Sequence, residues 1–254
     1  MISLKDKTVF VSGASSGIGK ACAEVFANHG SRLILCARRI DRLEKIAGEF
    51  SVETHLLSLD VRDRKSVFSA VKSLPDTWKK IDILVNNAGL ASGLSKLQDG
   101  DVDDWEQMID TNIKGLLYLS RAIIPGMVER NTGDIINIGS IAGHEVYPNG
   151  NVYCATKHAV DAITKGLRMD LLGTSVRVCT VDPGLVETEF SVVRFHGDQE
   201  RADKVYDGLE PLTGEDIADA VLYAATRPVH VQIAEIIILP TAQRASTLVH
   251  RDQK

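Results

Sequence analysis

Thr8-Val9-Phe10-Val11-Ser12-Gly13-Ala14-Ser15-Ser16-Gly17-Ile18-Gly19-Lys20 is the stretch on which the fold turns. A short β-branched run ends in a glycine-rich turn, and residues 17–29 then carry helical periodicity. Glycine lets the backbone turn sharply and approach a pyrophosphate, and the free N–H groups at a helix start offer donors and a positive dipole end. Three glycines in seven residues can also do no more than cap a helix. Set after the first apolar strand and opening a strand-helix-strand unit, the turn reads as a dinucleotide cradle. Its candidate contacts are Gly13, Ser15, Ser16, Gly17, Ile18 and Gly19.

Working outward, runs at 32–37, 53–59, 82–88, 134–140, 176–184 and 235–239 repeat the strand signal, rich in Val, Ile and Leu without polar alternation. Strands apolar on both faces belong in a covered parallel sheet. Helical periodicity fills 39–49, 62–74, 103–130, 151–172 and 213–226, as in Val67, Ala70, Val71 and Leu74. The alternation predicts an α/β fold: a Rossmann-like, doubly wound, seven-stranded parallel sheet with helices on both faces. No linker, low-complexity tract or repeat interrupts it, so residues 1–254 read as a single domain. The least regular segment, 185–212, is expected to form a lid over the substrate.

Composition narrows the function. With 29 basic against 34 acidic residues, a net charge of −5 and no run of five like charges, the footprint of a nucleic-acid binder is missing. Cys22, Cys36, Cys154 and Cys179 are scattered without metal-ligand spacing, so no metal site or disulfide framework is expected, only small buried hydrophobes. Lys5, Asp6 and Lys7 interrupt what would be an apolar signal core, and no stretch approaches the roughly 18 apolar residues of a membrane span. The expectation is a soluble, cytoplasmic protein that acts on a small molecule, not on nucleic acid or membrane.

Cofactor choice is read after the second strand. An acid there serves the ribose 2′-OH of NAD, whereas a cation suits the 2′-phosphate of NADP. Positions 36–39 hold no acid, and Arg38 and Arg39 follow the strand, with Ser15 as a further donor. These arginines can instead solvate a helix start beside Asp41 and Glu44. Two cations at a helix N-terminus oppose the dipole, however, which points to an anion and to NADP. At the third strand's end, Asp60 can accept from the adenine amino group with Val61 beneath the ring; as a structural alternative, Asp60 caps the helix at 62–74. After the fourth strand, Asn87, Ala88 and Gly89 offer small side chains along a cofactor's path, or an ordinary turn.

Tyr153 and Lys157 stand at i and i+4 on one helix, so the ammonium faces the phenol and is expected to lower its pKa toward working pH. Spacing alone is weak evidence. Ser140 ends the fifth strand thirteen residues upstream, where its hydroxyl can hold a substrate carbonyl or merely cap a turn. Asn112 lies inside the helical stretch 103–130, a costly place for asparagine.

Together these residues resemble the classical short-chain dehydrogenase/reductase family over nearly the whole chain. Gly13-x-x-x-Gly17-x-Gly19, Asn86-Asn87-Ala88-Gly89, Tyr153-x-x-x-Lys157, the Ser140 to Tyr153 spacing, Asn112, and Pro183-Gly184 followed by Thr188 all fit its pattern. The resemblance implies that Tyr153 is the acid/base and that Lys157 lowers its pKa and holds the nicotinamide ribose. It further implies that Ser140 orients the carbonyl, Asn112 anchors a proton-relay water, and Pro183, Gly184, Val186 and Thr188 line the nicotinamide. A homotetramer is the family's usual assembly.

A closer likeness is to the branch that oxidises 3-hydroxy acids, including serine dehydrogenases and malonic semialdehyde reductases. It rests on Trp105-Glu106-x-Met108-Ile109-Asp110-Thr111-Asn112, on 125–131, and on 182–195. Within the expected lid, Arg201 and Lys204 have Glu200 and Asp203 beside them, whereas Arg194 has only Val193 and Phe195 as immediate neighbours. Arg194 is therefore the candidate clamp for a substrate carboxylate, or else a solvated loop residue. The expected activity is NADP-dependent hydride transfer at the 3-carbon of a small hydroxy acid or its semialdehyde. The alternatives are a reductase of larger carbonyls such as 3-oxoacyl thioesters, and a non-catalytic nucleotide sensor.

Overall fold

Successive side chains of a strand point to opposite faces, and the first strand shows what this does here. Val9 and Val11 belong to one buried apolar cluster and Phe10 to another, on the far side of the sheet. The same split recurs at Leu33 and Leu35 against Ile34 and Cys36, and at Ile83 and Val85 against Leu84. Both faces of the central strands are thus covered. The computed structural model describes residues 2–252.

The strands are β1 (Thr8–Ser12), β2 (Arg32–Ala37), β3 (Thr54–Ser58), β4 (Ile83–Asn86), β5 (Gly133–Ile138), β6 (Val176–Pro183) and β7 (Glu235–Ile238). All pair in parallel, in the order β3-β2-β1-β4-β5-β6-β7. The chain reverses its direction of travel across the sheet between β1 and β4, the place where a doubly wound sheet opens a crevice at its carboxyl edge. The helices are α1 (Gly17–Asn28), α2 (Ile40–Ala47), α3 (Arg64–Lys72), α4 (Val102–Ile109), α5 (Leu116–Glu129), α6 (Asn151–Asp170), α7 (Phe190–Arg194), α8 (Gln199–Lys204) and α9 (Gly214–Ala225). Phe26 of α1 and Ile217 and Val221 of α9 pack with Val9 and Val11, while Val67 of α3 and Leu119, Ile123 and Met127 of α5 pack with Phe10.

Four details depart from the expected pattern. β3 and β7 are not covered on both faces: they form the sheet edges, and Ile237 is 48% exposed. The stretch 103–130 is not one helix, because a π-helical turn, Asp110–Gly115, separates α4 from α5 and carries Asn112. Asp63, not Asp60, caps α3, its carboxylate accepting from the N–H groups of Lys65 and Ser66. The segment 185–212 is less irregular than it reads, since it contains α7 and α8. All four cysteines are buried, as expected, and are free thiols. Among the described residues, no helix is long and apolar enough to cross a membrane.

Candidate active site

A cleft of about 400 Å³ opens at the carboxyl edge of the sheet. Its walls bring together Gly13, Ser15, Ser16, Gly17, Ile18, Arg38, Arg39, Asp60, Val61, Asn87, Ala88, Gly89, Ser140, Tyr153, Lys157, Pro183, Gly184, Val186, Thr188 and Arg194. Of the candidate catalytic, cofactor and substrate contacts, Gly19 and Asn112 do not line it. A Cβ on Gly19 would sit 2.3 Å from the Gly13 carbonyl oxygen and 2.4 Å from Asn87 Nδ2, so this glycine lets the turn close on itself beneath the cleft. Asn112 is buried and braces two elements. Its Nδ2 donates to the Leu90 carbonyl at 2.8 Å and to Thr156 Oγ1 at 3.0 Å, and its Oδ1 accepts from the Leu90 N–H at 2.9 Å.

The cradle at β1 is cross-linked to the loop after β4. Ser12 Oγ accepts from the N–H groups of Asn87 and Ala88, both at 3.0 Å, and Asn87 Nδ2 donates to the carbonyls of Ser12 and Gly13. At the start of α1, Ser16 stands in the cap position yet its side chain makes no capping hydrogen bond. The first-turn amides are therefore left facing the cleft with the dipole's positive end, a donor set that fits a pyrophosphate. Arg39 Nη2 lies 3.3 Å from Ser15 Oγ, and Arg38 makes no hydrogen bond or ion pair among the described residues. This cluster of guanidinium and hydroxyl donors fits a ribose phosphate.

Two acids modify that end of the cleft, and neither role was legible in sequence. Glu189, just before α7, pairs with Arg42 at 2.7 Å and with Arg39 at 3.4 Å, reaching across from the segment after β6 to α2. Asp60 holds Arg62 through both carboxylate oxygens, the shorter contact being 2.6 Å, and the Arg62 guanidinium keeps its carboxyl below the usual range. Its oxygens are thus shared with a neighbour before any adenine amino group is considered.

At the other end, Tyr153 is buried, and burial with Tyr147 beside it pushes its phenol above the ordinary value; Arg194 and Ser140 act against that rise. The expected lowering by Lys157 is not found. The Lys157 ammonium is buried too, donates to the Ile138 carbonyl at 2.9 Å, and is pulled down to about 8 by burial, with Asp182 opposing. Ser140 Oγ accepts from the Ala142 N–H at 3.1 Å, so it does cap a short turn while also facing the cleft.

Arg194 ends α7 and is half-buried over a floor of three rings. Its guanidinium carbon lies 4.9 Å from the Tyr153 ring centroid, 5.5 Å from Phe190 and 5.6 Å from Tyr147. It donates to the Tyr147 hydroxyl, and its buried Nε has no partner among the described residues. No carboxylate pairs with it among those residues. The fully solvated reading of Arg194 is thereby corrected. Lys204 does pair with Glu200 at an exposed position, whereas Arg201 lies over the Phe195 ring.

Comparison with known proteins agrees with this architecture. A family model described as short chain dehydrogenase matches residues 7–199. The NADP-dependent 3-hydroxy acid dehydrogenase of Schizosaccharomyces pombe is 48% identical over 258 residues, spanning all of both chains. NADP-dependent 3-hydroxy acid dehydrogenase YdfG of Escherichia coli K12 is 48% identical over 245 residues, 96% of this chain and 99% of its own. Among solved structures, the closed form of serine dehydrogenase complexed with NADP+ superposes with a TM-score of 0.93 at 47% identity, covering 96% of this chain and 100% of the other. Serine dehydrogenase from Escherichia coli gives 0.82 at 43% identity, over 93% and 99%. With the family model matched over residues 7–199 and relatives nearly half identical along almost the whole chain, the chain belongs to the short chain dehydrogenase family.

Proposed function

We propose that the protein is an NADP-dependent oxidoreductase that moves a hydride between nicotinamide and the 3-carbon of a small, serine-like 3-hydroxy acid or its semialdehyde. The observation that carries the reading is Arg194: a half-buried guanidinium beside Tyr153, with no carboxylate partner among the described residues. A cation held in a closing cleft gains most from an anionic ligand, because the surrounding dielectric is lowered. The names of the close relatives support the substrate class and the cofactor.

NADP, when bound, supplies or takes the hydride. In this reading, the α1 amides with Gly13, Ser15, Ser16, Gly17 and Ile18 hold the pyrophosphate, and Arg38 and Arg39 hold the 2′-phosphate. Asp60 and Val61 flank the adenine; Asn87, Ala88 and Gly89 follow the cofactor's path. Pro183, Gly184, Val186 and Thr188 line the nicotinamide. Ser140 donates to the substrate oxygen, Tyr153 gives or takes its proton, Lys157 holds the nicotinamide ribose, and Asn112 positions a relay water. A phenol kept protonated by burial suits the donor role in carbonyl reduction. The reading includes a homotetramer in the cytoplasm, in keeping with the family resemblance.

A 3-oxoacyl thioester offers no carboxylate beside its reacting carbonyl and would leave Arg194 unpaired, which disfavours that alternative. The test is Arg194→Met. Its kcat/KM for 3-hydroxy acids should fall about a hundredfold or more, while activity on a matched neutral alcohol stays within a few-fold. Parallel loss on both substrates would overturn the clamp.

A further inference from the structure

Asp182 lies in β6 beside the turn that carries Ser140, and it is only 1% exposed. Its Oδ1 accepts the Ser140 N–H at 3.1 Å. A Cβ on Gly139 would come within 1.8 Å of that same oxygen, so the turn is built around the carboxylate. Its Oδ2 makes no hydrogen bond among the described residues. His144 Nε2, equally without one, faces it at 3.4 Å, and Glu235 Oε1 on β7 lies 3.4 Å from the same nitrogen. The buried Lys157 on α6 holds the same turn from its other end, its Nζ donating to the Ile138 carbonyl at 2.9 Å, and the Asp182 carboxylate favours the charged form of that amine against burial. The titratable groups around Asp182 are thus Lys157, His144, Glu235 and the Cys179 thiol of the same strand, of which only Lys157 belongs to the cleft wall.

A buried carboxylate with a spare oxygen is a costly feature that a neutral side chain would avoid. We propose that Asp182 is a positioning residue of the reaction: a fixed negative charge behind the cleft that holds the Ser140 turn in place and keeps Lys157 an ammonium. The inference rests on the reading of Ser140, Tyr153 and Lys157 given above. It deepens that reading by adding a counter-charge from the strand behind them.

The physical argument is a competition. Burial strips water from Lys157 and favours its neutral form, while a nearby carboxylate favours the charged form. Burial also pushes the Asp182 carboxyl up; Thr180 and then His144 oppose that rise, whereas Glu235 adds to it. Removing the Asp182 charge leaves burial unopposed at Lys157, so the ammonium is lost at a lower pH. The Ser140 N–H, by contrast, needs only an acceptor, which an amide oxygen also supplies.

The experiment is carbonyl reduction with NADPH, using malonic semialdehyde, followed from pH 6 to 10 for the wild type, Asp182→Asn and Asp182→Glu, with Lys157→Ala as control. For Asp182→Asn, the basic limb of the kcat profile should move down by about half a pH unit or more. Its kcat at pH 6.5 should stay within a few-fold of wild type, NADPH affinity at that pH should be unchanged, and Asp182→Glu should restore the limb. An unmoved limb, with or without a uniform loss of rate, would overturn the proposal and leave Asp182 as a support of the turn alone. Should Asp182→Asn not fold, Asp182→Ser removes the same charge and retains an acceptor, and the same shift decides. Full turnover by Lys157→Ala would instead sink the underlying reading of the site, and the proposal with it.

Discussion

Arg194 is aimed by Tyr147: the guanidinium donates to the phenol hydroxyl and is stacked beside it among the rings of Tyr153 and Phe190. One residue ends α7 and the other lies in the loop ahead of α6, so their contact ties α7 to the wall that carries Tyr153. Tyr147→Phe keeps the ring and removes the hydroxyl. A hydrogen bond to a charged group contributes about 1.5–3 kcal/mol, so KM for a 3-hydroxy acid should rise roughly ten- to a hundredfold. NADPH affinity, measured by fluorescence titration, should not change; equal weakening of both would contradict the assignment.

Glu189 occupies the guanidinium groups of Arg39 and Arg42 at positions nearly half exposed. In the proposed reading, an incoming 2′-phosphate must share the Arg39 donors with it. Exposed pairs are weak, so Glu189→Gln should tighten NADPH binding by only a few-fold, more at low salt than at high salt, with NADH affinity little altered. Isothermal titration at two ionic strengths checks this.

Lys157 links stability to pH. Its value falls from 10.5 to about 8 on folding, so between these values the unfolded chain binds more protons than the folded one. Stability must therefore rise with pH across that window, and the destabilising contribution is fully present below about 8. Burial pushes Cys22, Cys36 and Cys179 up to about 12, which acts the opposite way at alkaline pH, so the comparison is made against Lys157→Met, where those thiols cancel. From pH 8 to 10 the wild type should gain on the variant in denaturant unfolding, by at most about 3 kcal/mol. A flat difference would show that Lys157 keeps its ordinary value.

Asn137 and Asn86 form a buried polar bridge between β4 and β5. Asn86 Nδ2 donates to Asn137 Oδ1 at 2.9 Å and to Ser120 Oγ at 3.1 Å, and Asn137 Nδ2 donates to Thr164 Oγ1 at 2.8 Å. Asn137→Ala takes one hydrogen bond from each of Asn86 and Thr164 at buried positions, a loss of about 1–3 kcal/mol. Chemical denaturation should register it, while kcat for the folded fraction stays near wild type.

The sheet was legible because its signals are local. Alternation in Val9-Phe10-Val11 and the glycines after it fix strand, turn and helix within a dozen residues, and the Tyr153 and Lys157 spacing needs only one helical turn. Tyr147, Asp182 and Glu189 were missed because their meaning depends on partners far along the chain: Arg194, Ser140 and Arg39 lie 47, 42 and 150 positions away. Asn112 was flagged by its poor helical propensity, which is a local signal, but the π-helical turn that accommodates it is set by its hydrogen bonds to Leu90 and Thr156. The uncovered faces of β3 and β7 follow from strand order, which apolar runs do not encode.

The cross-link between Ser12 and the loop after β4 has a thermodynamic consequence. With Ser12 Oγ holding Asn87 and Ala88, and Asn87 Nδ2 holding Ser12 and Gly13, two loops that would each have to lose conformational freedom around a ligand are already one unit. The floor of the cleft is assembled in advance of any visitor, and association there need not spend entropy on arranging it. α7 and α8 stand outside that cross-link, so in the proposed lid reading any ordering that a ligand demands falls to them.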